Sequence, residues 1–325
     1  MNIPKVHLSF TVRLLCVLSA ALAITGVPCS VAQTTPNYPV SYRLFNPFIF
    51  NPAIAGSKDF LAVDLTISNT GKDNAQIASG DLRIARTRKE YFSALAAPEF
   101  TGIGLGAYFY NDVTEFNRNR GMALAGSYHV SLNREALSFL SFGVAAKGNF
   151  NKFKGDPDLG LPVSESFLPN IDAGIYFYSP SFHLGVSATN IMGTSSQPDS
   201  IASALEVSRQ YFLTSGYKIV VSRSLDMVVE PLLIVNSGDS LPDKISEIFK
   251  PGLKLYAGNM CAGTYFNDFN RISFFLHFNY NKAHIGTYIE LPYNAPYYKK
   301  HVTIEFSFGL NLSAIKSGNT RRSHW

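Results

Sequence analysis

Most of this chain alternates between apolar and polar residues, and this alternation restricts its possible folds more than any other feature. From Val302 to Leu312 every even-numbered residue is apolar, and every odd-numbered residue is polar or glycine. A similar alternation recurs at 103–110, 171–178 and 182–189. Because successive side chains of a strand point to opposite faces, a period of two predicts strands with one apolar and one polar face.

Predicted strands of this kind number about fourteen, each about 8–12 residues long, which is near the length of a tilted membrane-spanning strand. The others are expected to begin near Phe60, Asp81, Gly121, Leu137, Arg209, Leu225, Pro251, Met260, Ile272 and Ala283. Short turns, such as 178–181 and 280–282, alternate with longer polar connections at 151–169, 193–208 and 236–250. The predicted fold class is therefore all-β: a transmembrane antiparallel β-barrel of about 14 strands with a short N-terminal periplasmic segment.

The composition agrees with a membrane barrel and excludes two other classes. Charged residues make up 16% of the chain, against about 25% in soluble domains. A hydrophobic content of 46% is too high for a disordered chain. The mean hydropathy of +0.05 disfavours a membrane protein built from spanning helices.

The placement of aromatic and charged residues separates a membrane barrel from a soluble one. Phe and Tyr cluster near predicted strand ends at 108–110, 176–178, 265–266 and 297–298, which predicts an aromatic girdle at the membrane interfaces. The alternative is a soluble β-sandwich or a lipocalin-like barrel, which would have to keep one face dry. The predicted inner face is instead polar, and it carries Asp172, His277, Asn279, Glu290 and Glu305.

The N-terminus predicts export. Residues 1–32 are predicted to be a signal peptide, with an apolar stretch at 14–27 and small residues at Ser30 and Ala32. Cleavage before Gln33 would leave 26 Lys and Arg against 23 Asp and Glu, a balance of +3. That balance is too small to argue for nucleic acid as a partner.

Cleavage would also leave Cys261 as the single cysteine, so no internal disulfide is expected. The sequence contains no glycine-rich phosphate loop, nucleophile elbow or paired-cysteine metal site. We therefore assign no catalytic, cofactor-binding or metal-binding residue, and a barrel enzyme is the weakest interpretation. The alternating glycines of 102–106 are predicted to face a crowded lumen, because no helix pattern follows them. Five histidines are interpreted as lumen or turn residues: His129, His183, His277, His284 and His301.

The most informative motif runs from Tyr42 to Ser57 and contains two Asn-Pro steps. Each proline fixes its own φ and keeps the preceding asparagine extended, so the segment is expected to be neither a regular strand nor a helix. Two interpretations are open: a plug or strap that packs its phenylalanines against the barrel base, and a docking segment for a partner. The docking hypothesis assigns Phe45, Asn46, Pro47, Asn51, Pro52, Ala53, Gly56 and Ser57.

This segment resembles the start of the PorP/SprF family of type IX secretion system membrane proteins from Bacteroidetes. Members typically have a Tyr-x-Phe-Asn-Pro-like run that leads into Asn-Pro-Ala-x-Ala-Gly-Ser, which 45–47 and 51–57 match closely. The resemblance is specific at 51–57 and looser elsewhere. It continues at 102–112, 128–130, 140–143, 170–192 and 305–308.

The resemblance implies a non-enzymatic outer-membrane barrel, without cofactors, that supports type IX secretion or surface attachment of a partner protein, and in some species gliding motility. Its implied partners are translocon or periplasmic ring components, secreted cargo or an adhesin with a C-terminal type IX signal, and the lipid bilayer, but not nucleic acid. The alternative function is a passive channel, or porin, for small solutes. The expected organisation is a signal peptide at 1–32, an Asn-Pro-rich segment at 33–57, the barrel at 58–312 and a basic polar tail at 313–325.

Overall fold

The structure is a computed structural model in which most of the chain after residue 38 can be described. The described residues are 39–58, 60–85, 102–115, 117–133, 136–154, 163–193, 209–238, 248–267, 270–293 and 301–312. The predicted signal peptide and the basic tail lie outside these ranges. No helix among the described residues is long and apolar enough to cross a bilayer.

Short helices precede a series of strands. Helix α1 spans Val40–Phe45, and two 3-10 helices span Pro47–Ile49 and Pro52–Ile54. The strands are β1 Leu61–Thr70, β2 Asp73–Ala85, β3 Gly102–Val113, β4 Asn117–Asn133, β5 Ser138–Phe153, β6 Ser164–Tyr178, β7 Phe182–Thr189, β8 Gln210–Tyr217, β9 Ile219–Ser222, β10 Met227–Gly238, β11 Phe249–Ala257, β12 Met260–Asn267, β13 Arg271–Tyr280, β14 Ala283–Pro292 and β15 Thr303–Leu312.

The strands form one antiparallel sheet that closes on itself, because β1 pairs with β15 from Leu61 opposite Leu312 to Thr70 opposite Thr303. Closure pairs every strand of the wall on both sides and so removes the exposed edges of an open sheet. The predicted transmembrane antiparallel barrel is confirmed.

Two of the fifteen segments, β8 and β9, are parts of a single wall strand. Both pair with β10 in one register, with Gly216 opposite Leu232 and Ile219 opposite Val229. In this register the interruption at Lys218 lies opposite Glu230, next to Pro231, which has no N–H to donate to the ladder. The wall therefore has fourteen strands, the number expected from the alternation.

Side chains of the wall are arranged in the opposite way to those of a soluble protein. On β1 the apolar Val63 and Leu65 are 42% and 46% exposed, whereas the intervening Asp64 is buried at 6%. The outer face is thus an apolar band for lipid, and the lumen holds the polar groups. The predicted inward positions are confirmed, since all of them are buried: Asp172, His277, Asn279, Glu290 and Glu305.

The girdle prediction is wrong for several tyrosines. Tyr108, Tyr110 and Tyr265 are at most 4% exposed and point into the lumen, while their neighbour Phe109 is 46% exposed on the outer face. The period of two itself explains the error, because adjacent residues of a strand cannot both face lipid. The pair at 297–298 lies outside the described residues.

Some strand boundaries also differ from those expected. The second strand begins at Asp73 rather than near Asp81, because Gly71, with φ of 62°, allows a tight turn directly after β1. Strand β6 begins at Ser164, so much of the connection expected at 151–169 is strand. Strands β4, β5 and β6 are 17, 16 and 15 residues long, longer than the predicted range.

The two ends of the barrel differ in their connections. At one end, where β1 begins and β15 ends, the strands are joined by turns at 179–181, 223–226, 258–259 and 281–282; we call this the short-turn end. The link between β2 and β3 is the long exception there. At the other end, the long-loop end, the links include 154–163, 190–209, 239–248 and 293–302.

Candidate functional site

The motif with two Asn-Pro steps lies inside the barrel. Residues 39–58, which we call the plug, fill the centre of the lumen, and Tyr42, Asn51 and Ala53 are at most 1% exposed. Together with inward side chains of the wall, the plug forms the hydrophobic core of the protein. The plug therefore gives this barrel a packed interior, which a soluble domain obtains by packing two layers of secondary structure against each other.

The first residues of the plug bind a carboxylate on the last strand. Val40 N donates to Glu305 Oε1 at 2.8 Å, and Ser41 N donates to Glu305 Oε2 at 3.1 Å. Both N–H groups belong to the first turn of α1, where the helix offers them no carbonyl. Glu305 is 2% exposed, and a buried carboxylate without such donors would be strongly destabilising.

The rest of the plug is held mainly through its backbone carbonyl groups. Side chains from several wall strands donate to these oxygens, so the wall binds the plug backbone from different sides. The donors and acceptors are Lys254 Nζ to Leu44 O (2.7 Å), Ser187 Oγ to Phe50 O (2.7 Å), Ser141 Oγ to Ala53 O (2.7 Å), Ser127 Oγ to Ala55 O (2.6 Å), His129 Nε2 to Ala55 O (2.9 Å) and Arg83 Nε to Gly56 O (2.8 Å).

Asn51 makes the contacts that depend most on side-chain identity. Its Oδ1 accepts the N–H of Ala53 at 3.0 Å and so caps the second 3-10 helix. Its Nδ2 donates to the carbonyl of Ile175 at 3.1 Å and lies 3.5 Å from that of Val186, on the neighbouring strands β6 and β7. A carboxylate could not replace it, because a carboxylate has no N–H to donate.

Wall glycines allow the plug to come this close. A Cβ on Gly104 would collide with the carbonyl oxygen of Ala55, and one on Gly143 would collide with the backbone of Ala53. A Cβ on Gly174 would meet Asn51 Oδ1. These glycines lie on β3, β5 and β6, and we call them the glycine seat. The prediction that the alternating glycines of 102–106 face a crowded lumen is confirmed.

Gly56 ends the plug and turns the chain toward β1. Its φ is +67°, in the left-handed region that favours glycine. Gly56 N donates to Asp81 Oδ2 at 3.0 Å, while Arg83 Nε holds its carbonyl. The chain therefore makes a tight turn at Gly56 before it enters β1.

The three phenylalanines of the plug pack against rings of the wall. Phe45 stacks on His277 with centroids 4.5 Å apart, Phe48 lies edge-on to Tyr108 at 6.1 Å, and Phe50 contacts Phe212 at 5.1 Å. The interpretation of this segment as a plug therefore describes its place in the structure.

The structure divides the predicted docking residues into two groups. Five are buried: Asn46, Asn51, Pro52, Ala53 and Gly56. The other three, Phe45, Pro47 and Ser57, are half-buried and line a cavity between the plug and the short-turn end. This cavity, which we call the vestibule, has a volume of about 400 Å³.

Charged groups line the vestibule, and sequence reasoning did not bring them together. Glu230 on β10 accepts the hydroxyl of Tyr256 at 2.6 Å and lies 3.9 Å from Lys254 Nζ. Asp64 on β1 is 2.7 Å from His284 Nε2 on β14, a contact that only barrel closure creates. In the part of the chain that the structure describes, no group of three or more His, Cys, Asp or Glu side chains could hold a metal ion.

Comparisons with known proteins identify one family by its sequence model. A sequence model of the family described as "Type IX secretion system membrane protein PorP/SprF" matches residues 30–317. Similar solved structures include the toluene transporter TbuX of Ralstonia pickettii, at 9% identity over 90% of this chain and 100% of that one, with a TM-score of 0.44. Another is the outer membrane protein Omp33 of Acinetobacter baumannii, at 8% identity over 78% and 98%, with a TM-score of 0.42. No curated protein gives a significant match.

The glycine seat can be tested with one methyl group. We expect Gly104→Ala to destabilise the protein by about 1–3 kcal/mol, because the added Cβ forces the Ala55 carbonyl away from the wall. Gly126→Ala is the matched control, since a Cβ there would meet nothing within 4 Å. Urea unfolding in detergent micelles measures both changes. Equal stabilities of the two variants would contradict the close approach.

Proposed function

This chain belongs to the PorP/SprF family of type IX secretion system membrane proteins, since the family's sequence model matches residues 30–317, and we propose that it acts as a scaffold in type IX secretion. It is an outer-membrane β-barrel. In this proposal the protein holds partner proteins and performs no reaction. The observation that carries the proposal is the plug, because its backbone is bound into the lumen on several sides.

A filled lumen favours a scaffold over a solute pathway. Several polar residues that face the lumen already have partners within the protein. Glu305 accepts two N–H groups of the plug, and Asp172 lies 3.0 Å from Lys147 Nζ in a pair that is at most 3% exposed. Groups used in this way contribute to packing, and they do not line an open path.

The finer parts of the proposal concern partners. The expected partners are translocon or periplasmic ring components and a secreted cargo or adhesin with a C-terminal type IX signal. Gliding motility is the process to which such cargo would contribute. Membership of the family supports a contact with secretion components, and we propose that the short-turn end faces the periplasm, as short turns do in bacterial barrels.

We also propose that residues 1–32 are a signal peptide removed during export. The basic start, the apolar stretch and the small residues before Gln33 support this. The intact mass of protein purified from outer membranes should correspond to a chain that begins at Gln33. A mass that includes residues 1–32 would exclude cleavage.

The scaffold and the passive channel predict different conductance. In planar bilayers we expect the full-length protein to show no steady open pore, because the plug fills the lumen. A variant lacking residues 40–57 should conduct steadily if its barrel assembles. The point variant Gly104→Ala, which displaces the plug without deleting it, should give intermittent openings. A steady pore in the unaltered protein would instead support the porin.

The docking hypothesis for the Asn-Pro segment predicts loss of partners. We expect the double variant Asn51→Ala, Pro52→Ala to retain fewer partner proteins, because it disturbs the plug surface that lines the vestibule. Asn259→Ala, Pro292→Ala is a control that changes the same residue types outside the plug. Affinity purification from outer membranes measures retention, and heat-modifiable migration on gels reports barrel assembly. Recovery of the same partners at the same yield from both variants would contradict the docking role.

A further inference from the structure

We propose that the vestibule is a binding site for an acidic peptide segment of a periplasmic partner. The inference rests on the proposed scaffold function and adds the chemistry of the contact. It concerns the cavity of about 400 Å³ between the plug and the short-turn end. A volume of this order is typical of pockets that enclose a small ligand, so a few peptide residues would occupy it.

The charged side chains around the vestibule are mainly positive. Its lining contains two carboxylates, Asp64 and Glu230. The cationic side chains of the lining are twice as many: Arg43, Lys58, Lys218 and Lys254. A cleft with low-dielectric walls and charges of mainly one sign concentrates the electric field and attracts ligands of the opposite sign.

The carboxylates of the vestibule already have partners within the protein. Asp64 is 2.7 Å from His284 Nε2. Glu230 accepts the Tyr256 hydroxyl and lies 3.9 Å from Lys254. Groups bound in this way repel an incoming carboxylate less than free carboxylates would. The cationic excess therefore determines what the cavity attracts.

The ammonium group of Lys218 has hydrogen-bonding capacity left for a ligand. Lys58 Nζ donates to Asn46 Oδ1 at 3.0 Å, and Lys254 Nζ donates to the carbonyl of Leu44 at 2.7 Å. Lys218 Nζ lies 6.0 Å from the centre of the Tyr256 ring and, among the described residues, has no hydrogen-bond acceptor. A ligand carboxylate would supply the charge-assisted hydrogen bonds that this group lacks.

The neighbouring strands β6 and β7 give the vestibule an aromatic surface next to Lys218. Tyr176 and Tyr178 are stacked, with ring centroids 5.3 Å apart, and His183 lies 6.0 Å from Tyr176. Rings of this kind pack against planar or apolar groups and carry a polar tip for hydrogen bonds. A peptide whose carboxylate reached Lys218 could place its backbone or a neighbouring side chain against this surface.

The vestibule lies next to an exposed turn of the short-turn end. Pro180 and Ser181 in the turn between β6 and β7 are exposed and line the vestibule, so the cavity is bordered by the short-turn end. The same cavity is lined by Phe45, Pro47 and Ser57, the predicted docking residues that are not fully buried. A partner on that side would therefore contact the plug and Lys218 together.

The test uses the purified full-length protein in detergent micelles and two labelled probes, N-acetylated triglutamate and N-acetylated triglutamine. Fluorescence anisotropy should show that triglutamate binds at least about tenfold more tightly, which corresponds to ~1.4 kcal/mol. Lys218→Gln should remove most of this preference. Arg223→Gln is the matched control, because Arg223 carries the same charge, is exposed at the same end and does not line the vestibule.

Two results would overturn the proposal: equal binding of the two probes to the unaltered protein, or equal loss of triglutamate binding in Lys218→Gln and Arg223→Gln. Heat-modifiable migration of both variants on gels shows whether their barrels are assembled. Neither result affects the scaffold proposal, which is tested by conductance and by partner recovery without any change at Lys218. Full partner recovery together with equal probe binding would therefore reject only the acidic-peptide site.

Discussion

The close approach of the plug backbone to the barrel wall is the constraint on which the rest of the interior depends. It requires wall positions without a Cβ, and Gly104, Gly143 and Gly174 provide them. It also requires donors for plug carbonyls that no helix or strand satisfies, since a buried carbonyl without a partner is costly. The serines of β4, β5 and β7 supply those donors. The glycines that leave room for the plug and the serines that donate to its carbonyls thus act together in the lumen, although they are far apart in the sequence.

Much of the fold could be predicted from the sequence, because successive residues of a barrel strand alternate between its two faces. Alternation identifies which residues of a strand share a face, and it correctly placed Asp172 and Glu305 inside. It does not determine where a strand begins, and the tight turn after β1 at Gly71 was missed for that reason. The aromatic girdle was predicted only from the position of Phe and Tyr near strand ends. Tyr108 and Tyr110 lie on the inner face of their strand, so they do not belong to a girdle.

The candidate site was predictable only in part. Two prolines in one short segment showed that 42–57 could not be an ordinary strand, and it is not one. The exclusion of a helix was wrong, because 42–45 belong to α1 and each proline begins a 3-10 helix, where its missing N–H has no partner to lose. Nothing local in the sequence shows that Asn51 binds carbonyls on β6 and β7, or that Lys218 and Lys254 share one cavity. Those contacts join residues more than a hundred positions apart or depend on the curvature of the wall. Period and composition carry no information about them.

The anchorage of the plug has a consequence for the order of assembly. Val40 and Ser41 bind Glu305 on β15, whereas Gly56 binds Asp81 on β2. The start of the plug therefore needs β15, the last strand, as a partner. The binding site of the plug is incomplete until β15 has paired with β1. Contacts of such sequence separation form late, since the loop between them must be closed first. The plug is thus completely bound only in the finished barrel. A wall that still lacks its last strand does not offer the plug its whole binding site.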